Sequence, residues 1–181
     1  MSEFTTPTEK VELPSKGLVY PKENPLSSGI IEMKYMTAKE EDILLNQSYI
    51  KKGIAIDKLL KSLIVTEIDY DDMIVGDKNA VMVAARVLGY GPDYNFEYEG
   101  EEHTVNLGEL ENKPFDESSI TPGLNEFPYS LPHSKVDITY KLLTNKDEKN
   151  ISRELEGLKR LNKESSAELS TRLKFMITSV D

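Results

Sequence analysis

The sequence predicts an α+β fold: a helical core domain with an N-terminal strand and an inserted small antiparallel β-sheet. Three patterns carry that expectation. Ile56, Leu59, Leu60, Leu63 and Ile64 recur at helical spacing and make one apolar stripe. Tyr94, Phe96 and Tyr98 alternate with polar residues up to a turn at Gly100, after which Val105 and Leu107 alternate again, the pattern of a β-hairpin with an aromatic face. Val136, Ile138, Tyr140 and Leu142 alternate strictly, giving the clearest strand in the chain. The organisation that follows is an extended arm over residues 1–29, a helical core from 30–92 and 144–181, and a β-rich insertion over 93–143.

A chain of 181 residues is long enough to bury a core. Thirty-two acidic against 22 basic residues give a formal charge of -10, which repels phosphate backbones and anionic lipid. Nucleic acid and membrane are therefore not expected partners. With no cysteine, disulfides and thiolate metal sites are ruled out. The N-terminus lacks the basic and apolar regions of a signal peptide, and no stretch approaches the roughly 18 apolar residues of a membrane-spanning helix. A soluble intracellular protein, or one packed inside a larger assembly, is the expectation.

Met1 to Lys10 is polar and reads as a loose arm. Val11 to Pro25 carries Pro14, Pro21 and Pro25 around Leu13, Leu18, Val19 and Tyr20, a proline density that suits an extended strap over the chain's own core or an arm for a partner. A strand follows from Ile30 to Met36. Thr37 and Glu40 then form an S/T-x-x-E capping box, starting a helix that should run to Lys51, Lys52 and Gly53. The second helix carries the Ile56 to Ile64 stripe. Asp69, Asp71 and Asp72 resemble a calcium loop in spacing only, since Ile74 stands where its glycine belongs, so capping or solvated acids are expected. Asp77 is the expected N-cap of a third helix through Ala80, Val81, Ala84, Ala85 and Leu88, stopped by Gly89 to Pro92. Its small residues would let another helix approach closely.

The hairpin region is rich in acids, among them Glu97, Glu99, Glu101 and Glu102, and reads either as a solvated hairpin or as a docking surface for a basic partner. Glu126 to Leu131 should form a short strand, and it or the hairpin should pair with the strand at Val136 to Leu142. Thr144 with Asp147 and Glu148 opens a helix through Ile151, Leu155 and Leu158 to about Leu161. Ser165 with Glu168 should cap the last helix, whose stripe of Leu169, Leu173, Met176 and Ile177 runs nearly to the end.

Catalytic patterns are thin. His103 and His133 lie among polar neighbours, and neither an H-E-x-x-H nor a G-x-S-x-G motif is present. Acids adjacent on a helix, as in Glu40, Glu41 and Asp42, diverge in direction. No catalytic, cofactor or metal residues are assigned and the chain is read as not an enzyme; a small hydrolase or nucleotide-binding enzyme is the least favoured alternative.

Five stretches in order, ELPSKGLVYP (Glu12 to Pro21), MTAKEEDIL (Met36 to Leu44), GDKNAVMVAARVLGYG (Gly76 to Gly91), LPHSKVDITYKLLTNKDE (Leu131 to Glu148) and SVD (Ser179 to Asp181), resemble the T4-type phage baseplate hub proteins, including their hub-assembly members. The resemblance implies a virion protein of a contractile tail baseplate, present in the host cytoplasm during assembly. Its implied partners are other tail or baseplate proteins, with an oligomer within the assembly. A hub assembly chaperone that leaves the finished virion is the alternative. The family often carries a Cys-x-x-Cys ribbon where Tyr94 to Leu107 stand here, so no zinc role transfers and the hairpin must hold by cross-strand packing. Similar proteins tend to continue past the terminal SVD. The residues expected to touch partners are Leu13, Leu18, Val19 and Tyr20 in the arm and Tyr94, Phe96 and Tyr98 in the hairpin.

Overall fold

Strand β1 (Thr8–Glu12) pairs antiparallel with β2 (Ile30–Lys34), Val11 standing opposite Ile31. The structure is a computed structural model that describes residues 7–161 and 167–181. The loose arm expected up to Lys10 is thus strand from Thr8 onward, its amides paired along β2. Ile31 and Met33 alternate inward and are fully buried, while Ile30 and Glu32 face out. Between the strands the chain doubles back through two left-handed glycines packed against each other. Gly17 (φ +77°) and Gly29 (φ +70°) approach so closely that a Cβ on Gly17 would lie 2.4 Å from the Ser27 carbonyl oxygen.

Helix α1 (Ala38–Leu45) begins at Thr37 with the expected capping box. It ends earlier than expected. The Asn46 side chain accepts from the amides of Ser48 (3.0 Å) and Tyr49 (3.2 Å), a local alternative to helical hydrogen bonding that starts a separate short helix, α2 (Gln47–Lys51). Helix α3 (Ala55–Leu63) buries Leu59, Leu60 and Leu63. The acidic loop forms a short 3-10 turn in which Asp69 accepts from the Asp71 amide, and Asp71 pairs with Lys61 and Lys149. Helix α4 (Val75–Tyr90) starts after Ile74, three residues before the expected cap. Asp77 lies inside the first turn and is fully buried, because its carboxylate is used elsewhere.

The insertion is not one sheet. Strands β3 (Asp93–Tyr98) and β4 (Glu101–Asn106) form a two-stranded hairpin by themselves, while β5 (Phe127–Ser130) and β6 (Asp137–Tyr140) belong to a separate three-stranded sheet. Its third member is β7 (Ile177–Val180), paired with β6 through Ile138 and Val180. That strand corrects the expectation that the last helix runs nearly to the end. Helix α6 (Glu168–Met176) stops at Ile177, and the β-branched Ile177, Thr178 and Val180 continue as strand, with Leu169 left 72% exposed. The cap expected at Ser165 lies outside the described residues. Helix α5 (Asn145–Leu161) opens on Thr144 as expected, with Asp147 accepting from the Thr144 amide, and is tied to α6 by the Glu148–Arg172 and Glu154–Lys174 pairs.

One core joins the pieces: Leu13, Val19, Tyr20 and Leu26 from the N-terminal segment, Ile31 and Met33 from β2, the α3 leucines, Tyr70, Met73 and Ile74, and Val81 and Ala85 of α4. The architecture is α+β, with helices and small antiparallel sheets around that centre.

Candidate interaction surfaces

The N-terminal segment is fastened by a buried carboxylate. Asp77 accepts hydrogen bonds from the Ser15 amide (3.0 Å), the Ser15 hydroxyl (2.7 Å) and the Tyr20 hydroxyl (2.6 Å), while the Tyr20 oxygen accepts from the Ile74 amide (3.0 Å). Burial and the neighbouring Asp77 charge push the Tyr20 hydroxyl well above the usual tyrosine range, so it stays a donor. Leu13, Val19 and Tyr20 are at most 4% exposed and Leu18 is half-buried. Leu13, Val19 and Tyr20, expected to meet a partner, are therefore part of the chain's own core, where apolar burial and the Asp77 network hold them, while Leu18 stands outside that core. No sequence periodicity marks Asp77 as their acceptor; it is found only when Ser15 and Tyr20 are seen folded onto α4.

The three hairpin residues lie open. Tyr94, Phe96 and Tyr98 are 45%, 38% and 61% exposed and share one face with His103 and Val105 across the ladder. Their rings form a run, with centroids 5.9 Å apart for Tyr94 and Phe96, 5.5 Å for Phe96 and His103, and 6.2 Å for Tyr98 and His103. This is the cross-strand packing that a ribbon without cysteines needs. Arg86 anchors the base of the hairpin, donating to the carbonyls of Gly91 (3.0 Å) and Asp93 (3.3 Å) and lying 5.0 Å from the Tyr90 ring and 5.7 Å from the Tyr94 ring. At the tip, Glu99 (φ +53°) and Gly100 (φ +84°) both adopt left-handed backbone, the signature of a type I′ turn.

The charge is concentrated there. Residues 93–117 hold nine acids and the single base Lys113, a formal -8 out of the chain's -10. The remaining 156 residues hold 23 acids and 21 bases, so they are nearly neutral.

Two grooves flank α4. One, of about 610 Å³, runs between β1 and the α4 face made by Ala80, Val83, Ala84 and Val87; of the small residues expected to admit a helix, Ala80 and Ala84 border this groove while Ala85 is buried in the core. The other, of about 770 Å³, lies at the N-terminal end of α4 against α5 and α6. Its walls carry the cations of Lys52, Lys78, Lys149, Arg153 and Arg172. The wall itself holds the acids Asp57 and Glu148, and Asp71 and Glu168 beside it also pair with Lys149 and Arg172, so among the described residues Lys52 and Arg153 are the groove cations outside an ion pair.

His103 stacks on Phe96 and His133 is exposed in a turn. Among the described residues no three His, Asp or Glu side chains converge as a metal set, and no helix is long and apolar enough to cross a membrane. No protein-family model, curated protein or solved structure matches the chain.

Proposed function

We propose that this chain is a non-enzymatic structural component of a contractile phage tail baseplate, working in the hub region through contacts with other tail proteins. The hub assignment is supported by the five ordered sequence stretches. The mode of action is supported by one observation: the hairpin leaves a row of stacked aromatics uncovered, and it and the loop after it carry most of the chain's net negative charge. Aromatic residues exposed in a row with a charged rim are characteristic of protein interfaces rather than of a solvated loop.

Quantitative mass spectrometry of purified particles tests the assignment. A fixed copy number per particle is expected. Abundance in infected cells together with near-absence from finished particles would transfer the reading to an assembly chaperone, and absence from both would refute it. Replacing Tyr94, Phe96 and Tyr98 together with serine should abolish incorporation while leaving the unfolding midpoint of the isolated protein within a few degrees of wild type, since these rings lie outside the buried core.

A further inference from the structure

The acidic hairpin and the basic groove stand at opposite ends of the same helix. Lys78 in the first turns of α4 lines the groove, whereas the hairpin leaves from Gly91 after the last turn. A helix of 16 residues is about 24 Å long, and that length separates the base of the hairpin from the groove of the same copy. The hairpin, residues 93–106, carries five acids and no Lys or Arg, a formal -5, and a concave wall elsewhere with two cations outside any described ion pair is complementary to it.

We infer that the hairpin tip of one copy docks in the groove between α3, α4, α5 and α6 of a second copy, a head-to-tail contact. The inference rests on the reading that the chain works through protein contacts, but not on the baseplate assignment.

The chemistry of the two surfaces matches part by part. The tip presents Glu97, Glu99, Glu101 and Glu102 beside Tyr98, all exposed. In the groove, Lys52 and Arg153 are exposed and form no ion pair with a described residue, so they are available to carboxylates and to the face of the Tyr98 ring. The other three cations are held in place by acids of the same molecule: Lys78 by Asp57 at 2.6 Å, Lys149 by Asp71 and Arg172 by Glu148. Such pairs keep the cationic surface ordered before a partner arrives. The tip itself carries a cost consistent with a retained charge. Glu99 occupies a left-handed position where asparagine or glycine is the unstrained choice. Because donor and acceptor surfaces differ, each copy uses both, and the contact propagates into a ring or an open filament instead of closing as a symmetric dimer.

Charge exchange tests this directly on the full-length chain. One variant reverses the hairpin (Glu97→Lys, Glu101→Lys, Glu102→Lys) and the other reverses the groove (Lys52→Glu, Arg153→Glu); all five positions are exposed, and circular dichroism and unfolding midpoints check that both variants fold. Sedimentation velocity at low ionic strength should show wild type associating with concentration, and the association should weaken as salt rises. Each variant alone should associate roughly 10- to 100-fold more weakly. An equimolar mixture of the two should recover wild-type association, since each reversed surface then meets its complement. A wild type that is monomeric throughout, a groove reversal with no effect, or a mixture that stays monomeric overturns the inference. Those outcomes leave the baseplate reading untouched, and absence from particles refutes that reading without affecting this one.

Discussion

Glu40→Gln is the sharpest single perturbation of this fold. Glu40 is fully buried in the first turn of α1 and its two oxygens are divided between two sets of donors. Oε2 accepts from the Thr37 amide (3.1 Å) and hydroxyl; Oε1 accepts from the Lys34 ammonium (2.9 Å) and the Ser62 hydroxyl (2.7 Å). Burial by itself would raise its pKa, but the bonds from Thr37, Lys34 and Ser62 together outweigh it and lower the carboxyl from 4.5 to about 2. A primary amide keeps the shape and loses the charge, and in either orientation its NH2 group faces a donor, Lys34 or the Thr37 amide. A shift from 4.5 to about 2 corresponds to at most about 3 kcal/mol. Lys34 is partly exposed and solvent screens part of that, so a loss of about 2 kcal/mol at neutral pH is expected. The pH dependence follows from the sign. Because the folded-state value is depressed, the stabilisation is complete above the ordinary carboxylate range and is lost as pH falls from about 4.5 toward 2. Urea unfolding of wild type and variant across that window should show two curves that are separated at pH 7 and converge at the acid end. Equal stability at pH 7, or a gap that persists undiminished at the lowest pH, would refute the electrostatic account and leave only packing.

Other substitutions probe the remaining joints. Asp77→Ala leaves the Ser15 and Tyr20 donors unpaired in the core and should destabilise by about 3 kcal/mol in denaturant titration, with proteolysis near residues 13–20 appearing first. Gly17→Ala combines a left-handed backbone with a 2.4 Å approach to the Ser27 carbonyl oxygen, so a lowered thermal midpoint and a loss of roughly 2 kcal/mol or more are expected. Glu99→Asn should do the opposite locally: hydrogen exchange at the β3–β4 amides should slow by about 1 kcal/mol of added protection, while sedimentation shows weaker self-association.

What the sequence discloses here is governed by the range of the interactions involved. The capping boxes at Thr37 and Thr144, the leucine stripe of α3 and the alternation in β3 and β6 are contacts between residues a few positions apart, and each stands where local spacing put it. The break at Asn46 is also local, but an asparagine side chain that caps its own downstream amides looks, in sequence, like any polar helix residue. Asp77 is different in kind. A carboxylate near a helix start reads as a cap, and only a hydrogen bond spanning 62 residues, from Ser15, makes it a core acceptor. Strand β7 is likewise fixed by pairing with β6 some forty positions earlier, and four residues of strand leave too short a pattern to separate from the end of a helix. The exposed aromatic half of the candidate site was legible because alternation exposes itself; the basic groove was not, since its five cations come from α2 and α3 flanks, α4, α5 and α6 and form no run.

The stretches that resemble the baseplate proteins bear on how the two halves of the protein divide their work. Ser15 and Tyr20 of the first stretch bond to Asp77 of the third, Glu40 of the second closes its own helix cap against Lys34 and Ser62, and Asn145 of the fourth donates its amide to the Met73 carbonyl at 2.9 Å. These are joints of the fold, so the expectation drawn from those stretches rests on residues that build the architecture and not on exposed contacts. The hairpin, by contrast, makes few demands on the rest of the chain. A lone two-stranded ribbon is marginal in water, and this one is held at its base by Arg86 and along its length by stacked rings. Mutual repulsion among its carboxylates works against that order, and a cationic partner surface removes the repulsion. Docking should therefore rigidify the hairpin as well as bind it, which makes its amide exchange a readout of contact that is independent of sedimentation.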